Sequence, residues 1–472
     1  MITLTLAEIA DATGGTLHNA PDPWMQVTGR SASDSREVGP GGMFVAVAGA
    51  RVDGHDFVDQ AVATGATCAL ATRPVGVPAV LVPDVTAALG RLAQHVLTRT
   101  GARIIALTGS VGKTSTKDLL AQVLSRHGET VATPRSFNTE IGLPLTVLRA
   151  AESTRYLVLE MGARHQGDIA YLASLTPPLV GIVLNVGSAH VGEFGGRDAI
   201  AAAKGELVES LPSAAEGGVA VLNADDELVA AMAARTSAAV VTYGTADAAA
   251  DIRAIGTQVT AGRASFVLDT PDGRAPVLLR LLGAHQVHNA LAVAAAAHAL
   301  GMDTHRIAEA LCAAEPVSAG RLQVMERADG VTIINDAFNA NTESMRAGLE
   351  TLSSLAGDRR TVAVLGEMKE LGDTAETAHQ EVGRLVVDLG IDVLVTVGTT
   401  AEMTALADAA RLTTSSPLRI ESADDPDVLL PLLNRLIKSG DVVLVKASKS
   451  VGLEKLANIL HVEVPAQGGA ER

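Results

Sequence analysis

A strand, a glycine turn and a helix follow one another in the sequence Ile104-Ile-Ala-Leu-Thr-Gly109-Ser-Val-Gly112-Lys113-Thr114-Ser115. In such a turn the backbone N–H groups and the N-terminus of the helix point to one place, where they can bind phosphate oxygens. Lys113 is then predicted to neutralise the β- and γ-phosphate oxygens of a nucleotide, and the Thr114 hydroxyl to bind Mg²⁺. The turn is shorter than the G-x-x-x-x-G-K-[ST] loop of the commonest kinases and GTPases, because Leu107 stands where that loop has its first glycine.

Apolar segments alternate with helical patterns on the C-terminal side of this turn. In the central part of the chain these segments lie at 104–107, 157–160, 180–186 and 219–222, and in the last part at 331–335, 361–365, 393–397 and 442–445. Uninterrupted apolar strands between helices indicate parallel sheets covered on both faces.

The first part of the chain has a different pattern, with short segments joined by glycine-rich turns. We therefore expect an α/β protein of three domains. These are a small α+β N-terminal domain at 1–98, a central ATP-binding P-loop domain with a parallel sheet at 99–315, and a Rossmann-like doubly wound C-terminal domain at 316–472.

The composition excludes several classes of protein. Lys and Arg number 37 and Asp and Glu number 53 among the 472 residues, so no nucleic acid is expected as a partner, because binding a phosphate backbone needs a basic surface. The two cysteines, Cys68 and Cys312, form no C-x-x-C pair and are expected to be buried thiols in a reducing compartment. The sequence shows neither a signal peptide nor a run of 18 apolar residues, so we expect a cytoplasmic protein without a membrane span.

Further polar residues stand where predicted strands or helices can present them. Glu160 ends an apolar segment, where an acid can reach a Mg²⁺ bound to a nucleotide. His190 lies in a loop and Lys204 in a helical segment of small apolar residues; residue type alone favours a surface histidine and a lysine that reaches solvent. Asp336 can bind a ribose or cap a helix. Residues 34–36 can form a turn or bind polar heterocycle edges and phosphates.

Taken together, these segments resemble the Mur ligase family, the ATP-dependent amide ligases that build the peptide stem of peptidoglycan. The resemblance covers nearly the whole chain in order. Its motifs are Ser33-Asp-Ser-Arg36, Thr108-Gly-Ser-Val-Gly-Lys-Thr114, Phe137-Asn-Thr-Glu-Ile-Gly-Leu-Pro144, Glu160-Met-Gly-Ala-Arg-His-Gln-Gly-Asp168, Asn185-Val-Gly-Ser-Ala-His190, Ala203-Lys-Gly-Glu206, Leu222-Asn-Ala-Asp-Asp226, His285-Gln-Val-His-Asn289, Val364-Leu-Gly-Glu-Met-Lys-Glu-Leu-Gly372 and Val445-Lys-Ala-Ser-Lys-Ser450.

The resemblance implies a nucleotide site and a metal site. The residues expected at ATP are Gly109, Ser110, Val111, Gly112, Lys113, Thr114, Ser115, Asn138, Asn289, Arg321 and Asp336. Of these, Asn289 is expected to contact the adenine, Arg321 a phosphate and Asp336 the ribose. It further implies that CO₂ carbamylates Lys204, and that two Mg²⁺ ions are held with the help of Thr114, Glu160, His190 and the modified lysine. Lys113, Glu160, His190 and Lys204 are the expected catalytic residues.

The resemblance also implies a uridine-nucleotide site at Asp34, Ser35 and Arg36. Two positions depart from the family pattern. Phe338 stands where relatives usually have tyrosine, so a hydrogen bond from that hydroxyl is lost, and Thr139 stands where a second asparagine is common. Neither change affects the phosphate loop or the expected metal ligands.

Within the family, the sequence resembles the member that joins D-Ala-D-Ala to UDP-N-acetylmuramoyl-tripeptide through an acyl phosphate, the last cytoplasmic step of the stem. The segment 366–372 favours that member, and the Asp-Asn-Pro-Arg signature of the enzyme that adds a dibasic residue is absent from the sequence. Lys446, Ser448 and Lys449 are candidates for binding the dipeptide carboxylate, and a solvated basic turn explains them equally well. We expect a monomer.

Three alternatives remain open at this stage. One is a sibling ligase that adds a dibasic amino acid to the UDP-linked dipeptide, or glutamate to a folate. A second is a small-molecule P-loop kinase, which would need no amine substrate and release no free phosphate. A third is a nucleotide-gated binding protein that binds ATP tightly without turnover.

Overall fold

The computed structural model describes residues 2–49, 52–187, 191–413 and 418–462. Its first part is an α+β unit. The strands are β1 (Leu4–Thr5), β2 (Thr16–His18), β3 (Gln26–Val27), β4 (Met43–Val45), β5 (Cys68–Ala71) and β6 (Ala79–Leu81), and the helices are α1 (Leu6–Thr13), α2 (Val58–Ala63) and α3 (Val85–Thr100). The main sheet has the order β2-β6-β5-β4, in which β2 is antiparallel and the other strands are parallel. Strands β1 and β3 form a separate antiparallel pair.

The central part contains a nine-stranded sheet among the described residues. Its strands are β7 (Arg103–Thr108), β8 (Thr130–Ala132), β9 (Tyr156–Glu160), β10 (Val180–Val183), β11 (Val219–Asn223), β12 (Ala239–Gly244), β13 (Ile252–Thr260), β14 (Arg263–Thr270) and β15 (Gly273–Leu282). Its helices are α4 (Lys113–Ser125), α5 (Gly142–Val147), α6 (Asp168–Leu175), α7 (Val191–Phe194), α8 (Arg197–Glu209), α9 (Glu227–Ala230), α10 (Gln286–Ala299) and α11 (Thr304–Ala313).

The strand order of this sheet is β15-β14-β13-β12-β11-β10-β7-β9-β8. The strands from β8 to β13 are parallel, as the sequence predicts, whereas β13, β14 and β15 form an antiparallel meander that the sequence analysis did not anticipate. The reason is visible in the exposure pattern. Strand β15 alternates buried and exposed residues, as expected for a sheet with one face in water, and lacks the continuous apolar run that marked the buried strands.

The last part is a six-stranded sheet with helices on both faces. Its strands are β16 (Gln323–Glu326), β17 (Thr332–Asn335), β18 (Thr361–Gly366), β19 (Val393–Val397), β20 (Arg419–Ala423) and β21 (Val442–Lys446), and its helices are α12 (Thr342–Ala356), α13 (Ala375–Asp388), α14 (Ala401–Thr413), α15 (Pro426–Leu436) and α16 (Leu453–Val462). The order is β16-β17-β21-β18-β19-β20, parallel except for the edge strand β16. The predicted three-domain α/β class is confirmed.

The central and C-terminal domains touch through backbone near the loops that follow their strands. A Cβ built on Gly192 would lie 2.7 Å from the backbone nitrogen of Gly372, and a Cβ on Gly372 would lie 2.8 Å from the Gly192 Cα. A Cβ on Gly187 would lie 2.7 Å from a carboxylate oxygen of Glu343. At these points the two domains meet without room for a side chain. Among the helices that the structure describes, none is long and apolar enough to cross a membrane.

Candidate functional site

The phosphate loop is held in shape by Asn185, which follows strand β10. Its side-chain Oδ1 accepts the backbone N–H groups of Ser110 and Val111, each at 2.9 Å, and its Nδ2 donates to the Val111 carbonyl at 3.1 Å. The Ser110 hydroxyl in turn accepts the Gly187 N–H at 2.9 Å. Strand β10 therefore fixes the turn between β7 and α4 through a single side chain. Asn185 belongs to the motif at 185–190, and its role in holding the loop is not evident from the sequence.

Gly112 makes the turn possible for two reasons. Its φ of +82° lies in the left-handed region that favours glycine. A Cβ at this position would also lie 2.7 Å from Oδ1 of Asn289, so the close approach of helix α10 requires the absence of a side chain. The two predicted nucleotide residues Gly112 and Asn289 are thus neighbours, although 177 positions separate them in the sequence. Asn289 also donates to Gln286 at 2.9 Å.

Lys113 begins helix α4 and folds back over its own loop. Its Nζ donates to the Gly109 carbonyl at 2.7 Å. Burial lowers the pKa of Lys113, while the charge of Glu160 opposes this shift. The neighbouring Thr114 hydroxyl lies 3.5 Å from Nη2 of Arg321, which belongs to the C-terminal domain. The loop thus faces a guanidinium from the other domain.

Glu160 ends strand β9 and is 1% exposed. One carboxylate oxygen, Oε1, accepts the Asn138 amide at 2.9 Å. The other, Oε2, is enclosed and has no hydrogen-bond partner among the described residues. A buried carboxylate oxygen without a donor is costly unless a cation or another donor meets it. The geometry therefore fits a site for a divalent cation at Oε2, with Asn138 orienting the carboxylate.

Lys204 lies on helix α8 and is 4% exposed. Burial, together with the nearby charge of Lys113, holds the pKa of Lys204 well below its usual value. This lysine therefore does not reach solvent, against the expectation from residue type alone. The third expected ligand, His190, lies outside the described residues. Within the described ranges no three His, Cys, Asp or Glu side chains are grouped to hold a metal. The expected set combines Glu160 and His190 with the Thr114 hydroxyl and a modified Lys204.

The two residues after Lys204 explain how helix α8 is fixed. A Cβ on Gly205 would overlap the guanidinium of Arg235, which donates to the Ala201 and Ala202 carbonyls at 3.1 and 2.9 Å. Glu206 accepts the backbone N–H groups of Gly167 and Ala170 at 2.6 and 3.1 Å, at the N-terminus of α6. The Lys-Gly-Glu motif thus combines a candidate ligand with the two residues that position its helix.

A second buried lysine, Lys117, holds the strand-to-loop segment that leads to Asn138. Its Nζ donates to the carbonyls of Thr133 and Arg135 at 2.7 and 2.9 Å and pairs with Asp118 at 2.7 Å. Arg135 has a φ of +51°, an uncommon conformation for a residue with a side chain. The role of Lys117 is not predictable from the sequence, because a lysine on a helix usually points to solvent.

The C-terminal wall of the site carries two cations around one ring. The Cζ atom of Arg321 lies 4.3 Å from the centre of the Phe338 ring, and Nζ of Lys449 lies 4.9 Å from the same centre. The backbone around Arg321 is unusual, since Gly320 and Leu322 have φ values of +70° and +48°. Burial lowers the pKa of Arg321, against the attraction of Asp336 and Glu160.

Asp336 is buried and both of its oxygens accept hydrogen bonds. Oδ1 accepts the Leu322 N–H at 3.1 Å, and Oδ2 accepts Nζ of Lys446 at 2.6 Å. The latter lysine is 1% exposed and also donates to the Asn339 carbonyl at 3.0 Å. The ammonium of Lys446 is therefore paired with Asp336 and helps to position that carboxylate. Its contact with the dipeptide carboxylate stays a prediction.

Ser448 is likewise enclosed, and its hydroxyl accepts the Lys369 N–H at 2.9 Å. Of the three residues predicted at the dipeptide, Lys449 alone presents an exposed side chain. Nearby, His285 is partly exposed, and its enclosed surroundings lower its pKa to about 4 in spite of the attraction of Asp336. This histidine is therefore neutral at physiological pH.

Residues of the central and C-terminal domains line one cleft of about 310 Å³. The residues lining it are Ser110, Val111, Gly112, Lys113, Thr114, Ser115, Ser136, Asn138, Glu160, Arg164, Arg321, Phe338, Asn339, Asn341, Ser344, Glu370 and Lys449. A smaller adjoining cavity of about 130 Å³ is lined by Asn289, Asp336 and Lys446 among others, together with Gly112 and Arg321. The predicted phosphate, adenine and ribose residues thus line two cavities that share Gly112 and Arg321, and both domains contribute to their walls.

The residues predicted at the uridine nucleotide lie in the N-terminal domain. Arg36 forms two hydrogen bonds with Asp34, at 2.9 and 2.6 Å, and this pairing lowers the pKa of Asp34 to about 2. Ser35 points inward and donates to Gln60 at 2.8 Å. Asp34 and Arg36 are partly or fully exposed, whereas Ser35 is buried. The structure therefore gives Ser35 a structural partner and leaves the other two side chains at the surface.

Three family descriptions match successive parts of the chain. Residues 32–97 match "Mur ligase family, catalytic domain", residues 107–297 match "Mur ligase middle domain" and residues 320–449 match "Mur ligase, glutamate ligase domain". A relative from Mycobacterium tuberculosis (strain ATCC 25618 / H37Rv) is 46% identical over 503 residues, covering 98% of each chain. One from Escherichia coli (strain K12) is 37% identical over 465 residues, covering 98% of this chain and 99% of its own. The chain belongs to the Mur ligase family.

Both relatives carry the name "UDP-N-acetylmuramoyl-tripeptide--D-alanyl-D-alanine ligase". Solved structures agree with this narrower grouping. MurF from Acinetobacter baumannii superimposes with a TM-score of 0.85 at 33% identity, covering 98% of this chain and all of that one. MurF ligase from Thermotoga maritima in complex with ADP gives a TM-score of 0.77 at 32% identity, covering 92% and 97% of the two chains.

Proposed function

We propose that this chain is the ATP-dependent ligase that joins D-Ala-D-Ala to UDP-N-acetylmuramoyl-tripeptide, releasing ADP and phosphate. The relatives that bear the name of this activity align with the chain from end to end. In this proposal residues 1–98 bind the UDP-linked substrate, 99–315 bind ATP and 316–472 receive the dipeptide. The enzyme acts as a monomer in the cytoplasm, where peptidoglycan precursors are assembled.

The observation that carries the proposal is the collection of cations in the cleft. Lys113 comes from the central domain, and Arg321 and Lys449 come from the C-terminal domain, and all three line one space with Glu160. Transfer of a phosphoryl group to a carboxylate brings two anions together, so the reaction needs dense positive charge more than covalent assistance. A cleft of this composition suits the formation of an acyl phosphate.

ATP is bound by the phosphate loop and by the C-terminal wall. The loop residues 109–115 and the N-terminus of α4 bind the phosphates, with Lys113 exchanging its bond to the Gly109 carbonyl for phosphate oxygens. Asn289 and Asp336 line the adjoining cavity and are assigned to the adenine and the ribose. Arg321, next to Thr114, is assigned to the β/γ end of the triphosphate.

The residues present fit two Mg²⁺ ions and a carbamylated lysine. Thr114, Glu160, His190 and modified Lys204 would hold the ions, and the unpartnered Glu160 Oε2 is the observation that supports this assignment. When bound, Mg²⁺ neutralises negative charge on the phosphates. Lys204 is buried beside another cation, and a lowered pKa favours the neutral amine. The neutral nitrogen can bond to the carbon of CO₂ and lose a proton, giving a carbamate anion.

The ligation itself has two steps. The terminal carboxylate of the tripeptide attacks the γ-phosphorus, the bond to the β-phosphate oxygen breaks, and ADP leaves. The amine of D-Ala-D-Ala then attacks the carbonyl carbon of the acyl phosphate, losing a proton as phosphate leaves. Asn138 keeps Glu160 oriented, and Lys113, Arg321 and Lys449 stabilise the charge that develops in the first step.

The test measures phosphate release from ATP with purified protein, UDP-N-acetylmuramoyl-tripeptide and D-Ala-D-Ala, omitting each component in turn. Release that needs all three supports the proposal. Release with the UDP-linked dipeptide and a dibasic amino acid instead would identify a sibling ligase. A phosphorylated product without free phosphate would identify a kinase, and ATP binding without turnover on any substrate would refute the ligase assignment.

Carbamylation has its own test. The intact mass of the protein in bicarbonate buffer should increase by one CO₂, and the increase should be absent in Lys204→Ala. Lys455→Met is the control, because Lys455 is exposed on helix α16 and its replacement leaves Lys204 in place, so the mass increase should persist. Full turnover of Lys204→Ala would remove this residue from the catalytic set.

A further inference from the structure

Phe338 contacts two cations that the nucleotide cleft presents from the C-terminal domain. The Arg321 guanidinium carbon and the Lys449 ammonium nitrogen lie 4.3 and 4.9 Å from the ring centre. All three residues line the same cleft as Lys113 and Glu160. Distances below about 6 Å are those at which the ring face attracts a cation.

Arg321 has little else to hold it. Its hydrogen bond to Thr114 is long, at 3.5 Å, and its Nε is enclosed without a partner among the described residues. Asp336 and Glu160 attract it electrostatically, but their carboxylates make their short contacts with Lys446 and Asn138. A cation without an ion pair or a short hydrogen bond is free to change rotamer unless packing restrains it. The stacked ring is the contact that supplies this restraint.

Lys449 is in a similar position. Its side chain is exposed. Within the described ranges, the Phe338 ring is the contact that the structure gives its ammonium group. Two positive groups around one ring repel each other, and the attraction of the ring for both opposes this repulsion. The arrangement therefore keeps two cations beside the phosphate loop before any anion is bound.

We propose that Phe338 is a positioning residue, whose ring holds Arg321 and Lys449 at the γ-phosphate end of the cleft. Lys449 then meets the transferred phosphoryl group, and not the dipeptide carboxylate. This inference rests on the proposed ligase function. It also accounts for the change from the tyrosine usual in relatives, since the ring face that attracts the cations is common to both residues and the hydroxyl is not needed for it.

The first experiment compares Phe338→Leu with Phe338→Tyr. Leucine keeps an apolar side chain but removes the ring, so we expect kcat to fall about tenfold while the KM for D-Ala-D-Ala changes less than twofold. Tyrosine keeps the ring and should retain kcat within about twofold. ATP and ADP affinities are measured by calorimetry in parallel. The leucine variant should bind ATP about tenfold more weakly and ADP less than twofold more weakly, because only ATP carries the γ-phosphate. A merely structural defect would weaken the binding of both nucleotides.

The second experiment is a double-mutant cycle with Lys449→Met. If the ring acts by holding this lysine, the loss of kcat caused by Lys449→Met should be several-fold smaller in the Phe338→Leu background than in the wild type. Equal losses in both backgrounds, or a rise in the KM for D-Ala-D-Ala as the main effect of Lys449→Met, would overturn the proposal. Circular dichroism and Tm establish that each variant is folded, and Phe338→Met replaces the leucine variant if that one is not.

The two levels of inference fail in different ways. If wild-type protein releases no phosphate with any UDP-linked substrate, the ligase function is wrong, but the ratio of ATP to ADP affinity still reports on the ring. If wild-type protein is an active ligase and Phe338→Leu matches it in kcat and in both nucleotide affinities, the positioning role is wrong and the ligase function stands.

Discussion

Replacing Asn185 by alanine should weaken ATP binding about 100-fold. The side chain makes three hydrogen bonds to the phosphate loop, at 2.9, 2.9 and 3.1 Å. At about 1 kcal/mol net for each hydrogen bond, the bound conformation of the loop loses about 3 kcal/mol of stabilising free energy. ATP must then supply that ordering when it binds, and about 1.4 kcal/mol corresponds to a factor of ten in Kd. The KM for D-Ala-D-Ala should change less than twofold.

Isothermal titration calorimetry with ATP measures this effect, and Asn223→Ala is the matched control. Asn223 ends the adjacent strand β11, is also buried, and donates to the Leu184 carbonyl at 2.9 Å without touching the loop. The control should lose stability but keep its ATP affinity. If Asn185→Ala binds ATP within threefold of wild type, the loop does not depend on this side chain. Tighter binding would show that Asn185 competes with the phosphates for the two N–H groups.

Three further changes test other parts of the site. Lys117→Met should lower the free energy of unfolding by about 3–5 kcal/mol in urea titrations, since it leaves Asp118 without its buried partner; a loss below 1 kcal/mol would contradict the role given to this lysine. Gly205→Ala should lower Tm, although alanine normally favours a helix by up to about 1 kcal/mol over glycine, because its Cβ would overlap Arg235; adding Arg235→Ala should restore part of the loss, and a higher Tm in the single variant would refute the clash. Asp225→Asn should lower Tm at pH 7, with a difference that shrinks on acidification. Burial raises the pKa of this carboxyl, but hydrogen bonds from residues 245–247 outweigh it and lower the value from 3.8 to about 2. The stabilisation is therefore present above about pH 4 and lost as the pH falls towards 2; a difference that is constant from pH 7 to pH 3 would contradict this.

Much of the fold could be predicted because buried parallel strands leave a direct signal. The continuous apolar segment at 393–397 coincides with β19, and the segments at 104–107 and 361–365 lie inside β7 and β18. The antiparallel strands β13 to β15 gave no such signal. Buried and exposed positions alternate along β15, and charged residues such as Arg280 interrupt its apolar residues.

The candidate site was predictable where a local motif contains the reactive groups. It was less predictable where the environment of a side chain depends on a residue far away in the sequence. The phosphate loop could be recognised from seven consecutive residues. By contrast, the sequence left Lys446 as either a dipeptide contact or a solvated lysine, because Asp336, with which it pairs, lies 110 positions away. Lys117 was missed for a similar reason, since its acceptors are carbonyl oxygens that a sequence does not place. For Glu206, the partners are two backbone N–H groups on another helix.

The contact between Gly192 and Gly372 limits how closely the central and C-terminal domains can approach one another. Two backbones touch there with no side chain from either residue, so the approach is set by main-chain atoms and no rotamer can adjust it. A methyl group on either glycine would act as a spacer between the domains. Because Lys113 of one domain and Arg321 of the other line the same cleft, a contact made by two residues outside that cleft bears on the width of the nucleotide site.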